Sequence, residues 1–196
     1  MPNSNNYVRT EAEFLPLYNQ VRLEYENAKG LVHALMKDGS QNCFGHRTDE
    51  RHANNWGMEY NLIENPDQTM LTITDYGTTG LTGDIYNNIN EVTPELRADP
   101  EQKLARIERV LNVGINVAGA PGSKGRGMLT TQYNSDEDKI MWDSLRSTDG
   151  KYVANHRKLE NGEIVQLKGP KVDGEAHEFI NNEAGLQPLD KPGTRI

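Results

Sequence analysis

The sequence predicts an α+β fold, with helices on one face of a mostly antiparallel sheet, and three observations predict it. Helix-spaced apolar residues come early, at Leu31 and Leu35 with Val32 and Met36 in the neighbouring phase, and again at Leu104, Ile107, Val110 and Leu111. Short strand-like runs dominate the last third of the chain. Asp149-Gly150 and Asn161-Gly162 punctuate those runs, and such pairs suit tight hairpin turns. Helices followed by a strand meander, rather than a regular βαβ alternation, place the helices beside an antiparallel sheet.

Taken in order, residues 1–14 read as a loose arm, and the folded domain is expected to span about residues 21–196 behind an arm of residues 1–20. The first helix runs to about Phe44. Residues 45–57 are polar and read as a surface turn. Met58–Ile63 and Thr69–Thr74 read as strands joined across Asn65-Pro66-Asp67, a turn-forming sequence. Residues 76–99 are rich in Gly, Asn and Thr and read as irregular. Pro100–Val113 is expected to be a second helix, and a glycine-rich stretch follows at Gly114–Gly127. Lys139–Trp142, Lys151–Val153 and Glu163–Leu167 then read as strands.

The bulk composition narrows the function classes. A chain of 196 residues suits one ordinary domain with a single core. Its 35 % apolar and 26 % charged residues are polar for a globular protein, yet not the composition of a disordered one. A formal net charge of −8 argues against a surface that tracks nucleic-acid phosphates, though not against a pocket for one nucleotide. The single cysteine, Cys43, excludes an internal disulfide framework and suits a reducing compartment. The N-terminal residues do not read as a signal peptide, and no apolar run reaches membrane-spanning length. The expectation is a cytoplasmic protein with no membrane association and no direct nucleic-acid binding.

Polar residues in apolar positions point to a site. The stripe of Leu31 and Leu35 continues at the same spacing to Asp38 and Asn42, which share one helix face. Burying such groups costs free energy unless they find partners or a ligand; a stripe drifting to the helix edge would look the same. In the second strand Leu71, Ile73 and Asp75 alternate onto one side, so Asp75 ends a core-facing row. Its bland alternative is an Asp capping the next turn. Gly77, Gly80 and Gly83 follow, allowing backbone conformations closed to other residues and a close approach of ligand to main chain. The run Gly122-Ser123-Lys124-Gly125-Arg126-Gly127 offers free N–H groups and positive charge to a phosphate if a helix starts there. Otherwise it is a flexible solvent loop. It is neither a P-loop, because Ser123 precedes Lys124, nor a dinucleotide fingerprint, because no βαβ strand precedes it.

The ordered series of an acid and an Asn four apart, an Asp-x-Gly turn about thirty residues on, a Gly-x-x-Gly-x-Gly loop and a final Gly193-Thr194 resembles the nucleotide site of the GHKL ATPase superfamily. That superfamily includes gyrase B, the ninety-kilodalton heat-shock chaperone, histidine kinases and MutL. The resemblance covers roughly residues 25–196. It implies a Bergerat-type two-layer α/β sandwich and an ATPase that uses ATP and Mg2+. It also implies the individual roles. Asn42 would bind magnesium through its side-chain oxygen, and Asp38 would be the catalytic acid that activates water. Asp75 would accept a hydrogen bond from the adenine amino group, with Gly77 and Gly80 beside it. Gly122, Gly125 and Gly127 would wrap the phosphates, with Lys124 and Arg126 adding charge, and Thr194 would support the adenine-side network. Residues 80–121 would form an ATP lid, and ATP-dependent homodimerisation and further domains or partner proteins are implied.

Three departures from the superfamily pattern stand out. Asp38 replaces the usual Glu, which sets its carboxylate about one methylene back, and small misplacements can cost two orders of magnitude in rate. The second glycine of the Asp75-Tyr76-Gly77-Thr78-Thr79-Gly80 turn comes one place late. Gly45 stands where an acid is often found. The first departure leaves open a non-hydrolysing, nucleotide-gated binding module. A phosphotransfer module is disfavoured, since only about thirty residues precede the Asp38 helix. The chain ends two residues after Thr194, where such domains complete a strand, so truncation at the C-terminus is expected. Cys43, His46, Asp49 and His52 match no closed zinc pattern. Trp56 and Trp142 read as packing residues, and Lys168–Lys171 as a solvated basic turn.

Overall fold

The computed structural model describes residues 7–8, 36–37, 40, 56–66, 68–88, 91–93, 95–96, 99, 101–108, 132, 135, 139–160, 163–165 and 168–196. The strands are β1 (Tyr7–Val8), β2 (Gly57–Glu64), β3 (Thr69–Tyr76), β4 (Lys139–Leu145), β5 (Tyr152–Glu160), β6 (Glu163–Val165), β7 (Lys171–Val172) and β8 (Gly193–Arg195). The helices are α1 (Lys103–Glu108) and α2 (Gly174–Ala184). This is an α+β arrangement, and the strand pairs whose registers are given below are all antiparallel.

The chain divides into two compact units. One takes the described residues of 42–82, 141–155 and 171–196, and contains the candidate site. Within it, neighbouring strands run in the order β5, β4, β8, β3, β2, with β7 beside β5. β2 and β3 form a full-length hairpin, from Gly57 opposite Tyr76 to Glu64 opposite Thr69. The expected turn lies between them, where Asn65 N–H donates to the Gln68 carbonyl at 2.9 Å. The turn between β4 and β5 uses Asp149-Gly150 as expected. Gly150 adopts φ 70°, and Arg146 N–H donates to the Lys151 carbonyl at 2.9 Å.

Helix α2, in a segment that carried no prediction, packs on this unit through Ala176, Phe179 and Ile180, which meet Tyr152 and Ala154 of β5. Their spacing of three and four residues puts them on one helix face. Gly185 ends the helix at φ 65°, its N–H bonded to the Asn181 carbonyl at 3.0 Å, a left-handed cap that satisfies a terminal carbonyl. The expected core-facing role of Leu71 is corrected. It is 43 % exposed, opposite a still more open Leu62, and the continuous buried run of β3 is Thr72–Thr74. The sheet's cover does not extend to the outer end of the hairpin, so alternation alone overstates burial there.

The other unit takes the described residues of 1–41, 83–140 and 156–170. Here β1 pairs with β6, Tyr7 opposite Val165, so residues 7–8 of the arm are a strand. β6 pairs with the end of β5, Glu160 opposite Glu163, on either side of Asn161-Gly162, which lie outside the described residues. Helix α1 buries Leu104, Ala105 and Ile107. Residues 109–113, the rest of the expected helix, lie outside the described residues. Arg157, 1 % exposed, donates through Nη1 to the Ile107 carbonyl at 2.8 Å and through Nε to Gln132 Oε1 at 2.9 Å. A buried cation thereby satisfies a carbonyl at the C-terminal end of α1, where the helix dipole favours positive charge. No helix among the described residues is long and apolar enough to cross a membrane.

Candidate functional site

The site forms where β3 ends. β8 pairs with β3 on one side and with β4 on the other, and the register sets Asp75 opposite Thr194 and Thr194 opposite Ser144. Residues directly opposite in adjacent strands present side chains to the same face. Three polar side chains, 50 to 119 residues apart in sequence, therefore form one row across three strands.

The row is bonded along its length. Thr194 N–H donates to Asp75 Oδ1 at 3.0 Å, and Thr78 Oγ1 donates to the same oxygen at 2.5 Å. Ser144, fully buried, donates its hydroxyl hydrogen to the Gly193 carbonyl at 2.7 Å and accepts from Leu81 N–H at 2.9 Å. Its oxygen lies 3.2 Å from Thr194 Oγ1. A serine hydroxyl has one hydrogen to give, and the Gly193 carbonyl takes it. The Thr194 hydroxyl is therefore the donor to Ser144, and its own oxygen keeps its lone pairs. The row thus offers acceptors, a carboxylate and a hydroxyl oxygen.

The glycine turn is held to the same row. Gly77 N–H donates to the Pro192 carbonyl at 2.9 Å, and Ser147 N–H donates to the Thr79 carbonyl at 3.1 Å. Gly80 adopts φ 70°, and a Cβ there would stand 2.6 Å from the Leu145 carbonyl oxygen and 2.8 Å from Ser144 Oγ. Gly193 is needed for a different reason. A Cβ on it would stand 2.0 Å from the Asp75 carbonyl oxygen, so only glycine lets β8 approach β3. The Gly193-Thr194 pair works as a unit, the first residue permitting the approach and the second bonding Asp75.

A second acid occupies the opposite side of β4. Asp143 accepts from Arg195 Nε at 2.9 Å and from Arg195 Nη2 at 2.7 Å, and also from the Tyr152 hydroxyl. Arg195 Nη2 reaches the Gln187 carbonyl at 2.8 Å as well. Burial pushes the Asp143 carboxyl above the usual carboxylate range, while Arg195 and the Tyr152 hydrogen bond pull it down. Burial first, and the Asp143 charge next, push the Tyr152 phenol above its ordinary range.

Of the sequence-predicted residues, the fold brings together Asp75, Gly77, Gly80 and Thr194. Asp38, Asn42, Gly122, Lys124, Gly125, Arg126 and Gly127 lie outside the described residues, as do Cys43, His46, Asp49 and His52. Trp142 is buried, as a packing residue should be. The expected solvated turn at Lys168–Lys171 is corrected: Gly169 and Pro170 are buried, and Lys171 belongs to β7 with its Nζ 4.0 Å from the Phe179 ring centroid. Its ammonium gains a cation–π contact that composition alone does not reveal. Sequence reasoning missed Ser144 and Thr78. Thr78 had a local signal, a threonine three residues after an acid, whereas Ser144 reads as an ordinary strand position. No family model, curated protein or solved structure matches the chain.

Proposed function

We propose that this chain is an ATP-binding module of the GHKL type, built as a two-layer α/β sandwich, with the Asp75 row as its adenine end. The observation that carries this reading is the pair of bonds from Thr194 N–H and Thr78 Oγ1 converging on Asp75 Oδ1. A carboxylate beside an acceptor hydroxyl suits an exocyclic amino group, which brings only N–H donors. Magnesium would be held by Asn42 and phosphate oxygens, since that ion prefers oxygen ligands and keeps several waters. Asp38 would orient the attacking water, and Gly122–Gly127 with Lys124 and Arg126 would offset phosphate charge. Nucleotide binding would drive closure of the lid at residues 80–121 or association of two copies.

Calorimetric titration with a non-hydrolysable ATP analogue and magnesium tests the reading. Asp75→Asn keeps an oxygen for Thr194 and Thr78 but turns the second oxygen into a donor. The expected result is saturable binding by the wild-type chain, weakened about 10- to 100-fold in the variant, as losing a charged hydrogen bond implies. No binding, or binding indifferent to the substitution, rejects it. The shorter Asp38 in place of Glu favours a second reading, a module that binds ATP and switches without hydrolysing it. Phosphate release that disappears in Asp38→Asn would exclude that second reading.

A further inference from the structure

The face of the sheet opposite Asp75 carries a separate cavity of ≈ 480 Å³, within the unit formed by residues 42–82, 141–155 and 171–196. Small-molecule sites generally fall in the range of roughly 300–1,000 Å³. Its floor is β2 and β3, with Asn61, Thr72 and Thr74 among the lining residues, and its other wall includes Leu186, Leu189 and Lys191. Thr72 and Thr74 are 4 % and 8 % exposed. Neither hydroxyl has a hydrogen-bond partner among the described residues, yet neither oxygen is sealed from the cavity. Both hydroxyls are therefore open to whatever occupies the cavity.

The chemistry of the lining selects a ligand class. Thr72 and Thr74 stand two residues apart on one strand, about 7 Å. Asn61 faces Thr72 across the hairpin, about 5 Å away. All three side chains both donate and accept. A ligand that uses them must do both at several points within the length of a sugar ring. An apolar ligand would leave these groups unpaired. An anion is disfavoured, because Glu59 and Asp190 outnumber Lys191 at the cavity, and the Arg195 guanidinium already serves Asp143 and the Gln187 carbonyl. The Tyr76 ring, its hydroxyl bonded to Glu59 at 3.1 Å and Lys191 Nζ 6.0 Å from its centroid, adds an aromatic group to the lining.

We propose that this cavity is a second ligand site, for a neutral polyhydroxylated molecule the size of a mono- or disaccharide, read by Asn61, Thr72 and Thr74. The site stands apart from the Asp75 row, and its test needs no nucleotide. The 15N-labelled chain is titrated with D-glucose, maltose and myo-inositol at millimolar concentrations, with glucose 6-phosphate as the anionic comparison. Saturable amide shifts are expected at residues 59–63, 72–76 and 189–191 with at least one of the three neutral probes. The combined Thr72→Val and Thr74→Val variant, which keeps shape and strand propensity, should weaken that binding at least tenfold. Asn61→Ala, at an exposed position that the fold tolerates, should weaken it at least threefold, a readout that survives if the double variant fails to fold. The proposal is overturned if no neutral probe gives saturable shifts, if both variants bind as the wild type does, or if glucose 6-phosphate binds more tightly than glucose.

Discussion

β8 is three residues long, yet it serves two faces of the sheet with opposite chemistry. Thr194 turns to one face and meets an acid, Asp75, through its backbone N–H; Arg195 turns to the other and meets an acid, Asp143, through its guanidinium. Asp143 is gripped at both oxygens by a cation in a buried bidentate pair and is bonded by Tyr152 as well. Asp75 is anchored by two neutral donors that converge on Oδ1. A carboxylate locked at both oxygens by a cation is a structural part. A carboxylate bonded by neutral groups has no cation among these partners to neutralise its charge. Burial with a cation makes Asp143 framework, whereas Asp75 is the residue proposed above for recognition.

That difference is open to attack, and the largest effect is expected on the framework side. Arg195→Met leaves Asp143 buried without its cation, and breaking a buried pair costs about 3–5 kcal/mol. Burial already raises the Asp143 pKa, and removing Arg195 takes away what lowers it, so the folded carboxyl holds its proton further above its ordinary range. A raised acid contributes its full stability below that range and loses it as pH rises through the folded pKa. Urea denaturation should therefore show a larger deficit for Arg195→Met at neutral pH than near pH 4, and an equal deficit at both would break the framework assignment. Gly193→Ala comes next. Its Cβ would stand 2.0 Å from the Asp75 carbonyl oxygen, forcing β8 away from β3 at a cost of about 1–3 kcal/mol or more, readable as a fall in melting temperature. Ser144→Ala leaves Leu81 N–H and the Gly193 carbonyl without their partner, and calorimetric melting should register about 1–3 kcal/mol. Asp75→Asn should cost the least stability, under about 1 kcal/mol by denaturant titration, since an acceptor oxygen remains. A deficit rivalling that of Arg195→Met would place Asp75 in the framework instead.

The meeting of Asp75 with Thr194 was partly legible in the sequence, and the Asp143–Arg195 pair was not. Asp75 could be singled out because it ends an alternating strand before three glycines, and Thr194 because a glycine precedes it near the chain's end. Both signals are local. Ser144 lies 50 residues from Thr194 and 63 from Leu81, and its hydroxyl becomes meaningful only when the strands assemble. The same holds for Asp143, whose cation comes from 52 residues away. Hairpin turns were readable because Gly150 and the stretch around Asn65 encode their own backbone geometry. Helix α2 was overlooked although Ala176, Phe179, Ile180 and Ala184 hold helical spacing, because small and polar residues dilute the stripe. Leu71 differs from expectation for the opposite reason: alternation says which way a side chain points, and says nothing of whether anything covers it.

Adenine recognition at Asp75 is tested most directly by the amide spectrum of the 15N-labelled chain during titration with ATP and magnesium. The Thr194 amide hydrogen is bonded to Asp75 Oδ1, so any ligand that engages that carboxylate must perturb it. Saturable shifts are expected at Gly77, Thr78, Leu81 and Thr194, reached in Asp75→Asn only at about 10- to 100-fold higher ATP. Saturable ATP binding that leaves those four amides unmoved, or no binding at all, would contradict adenine recognition at Asp75.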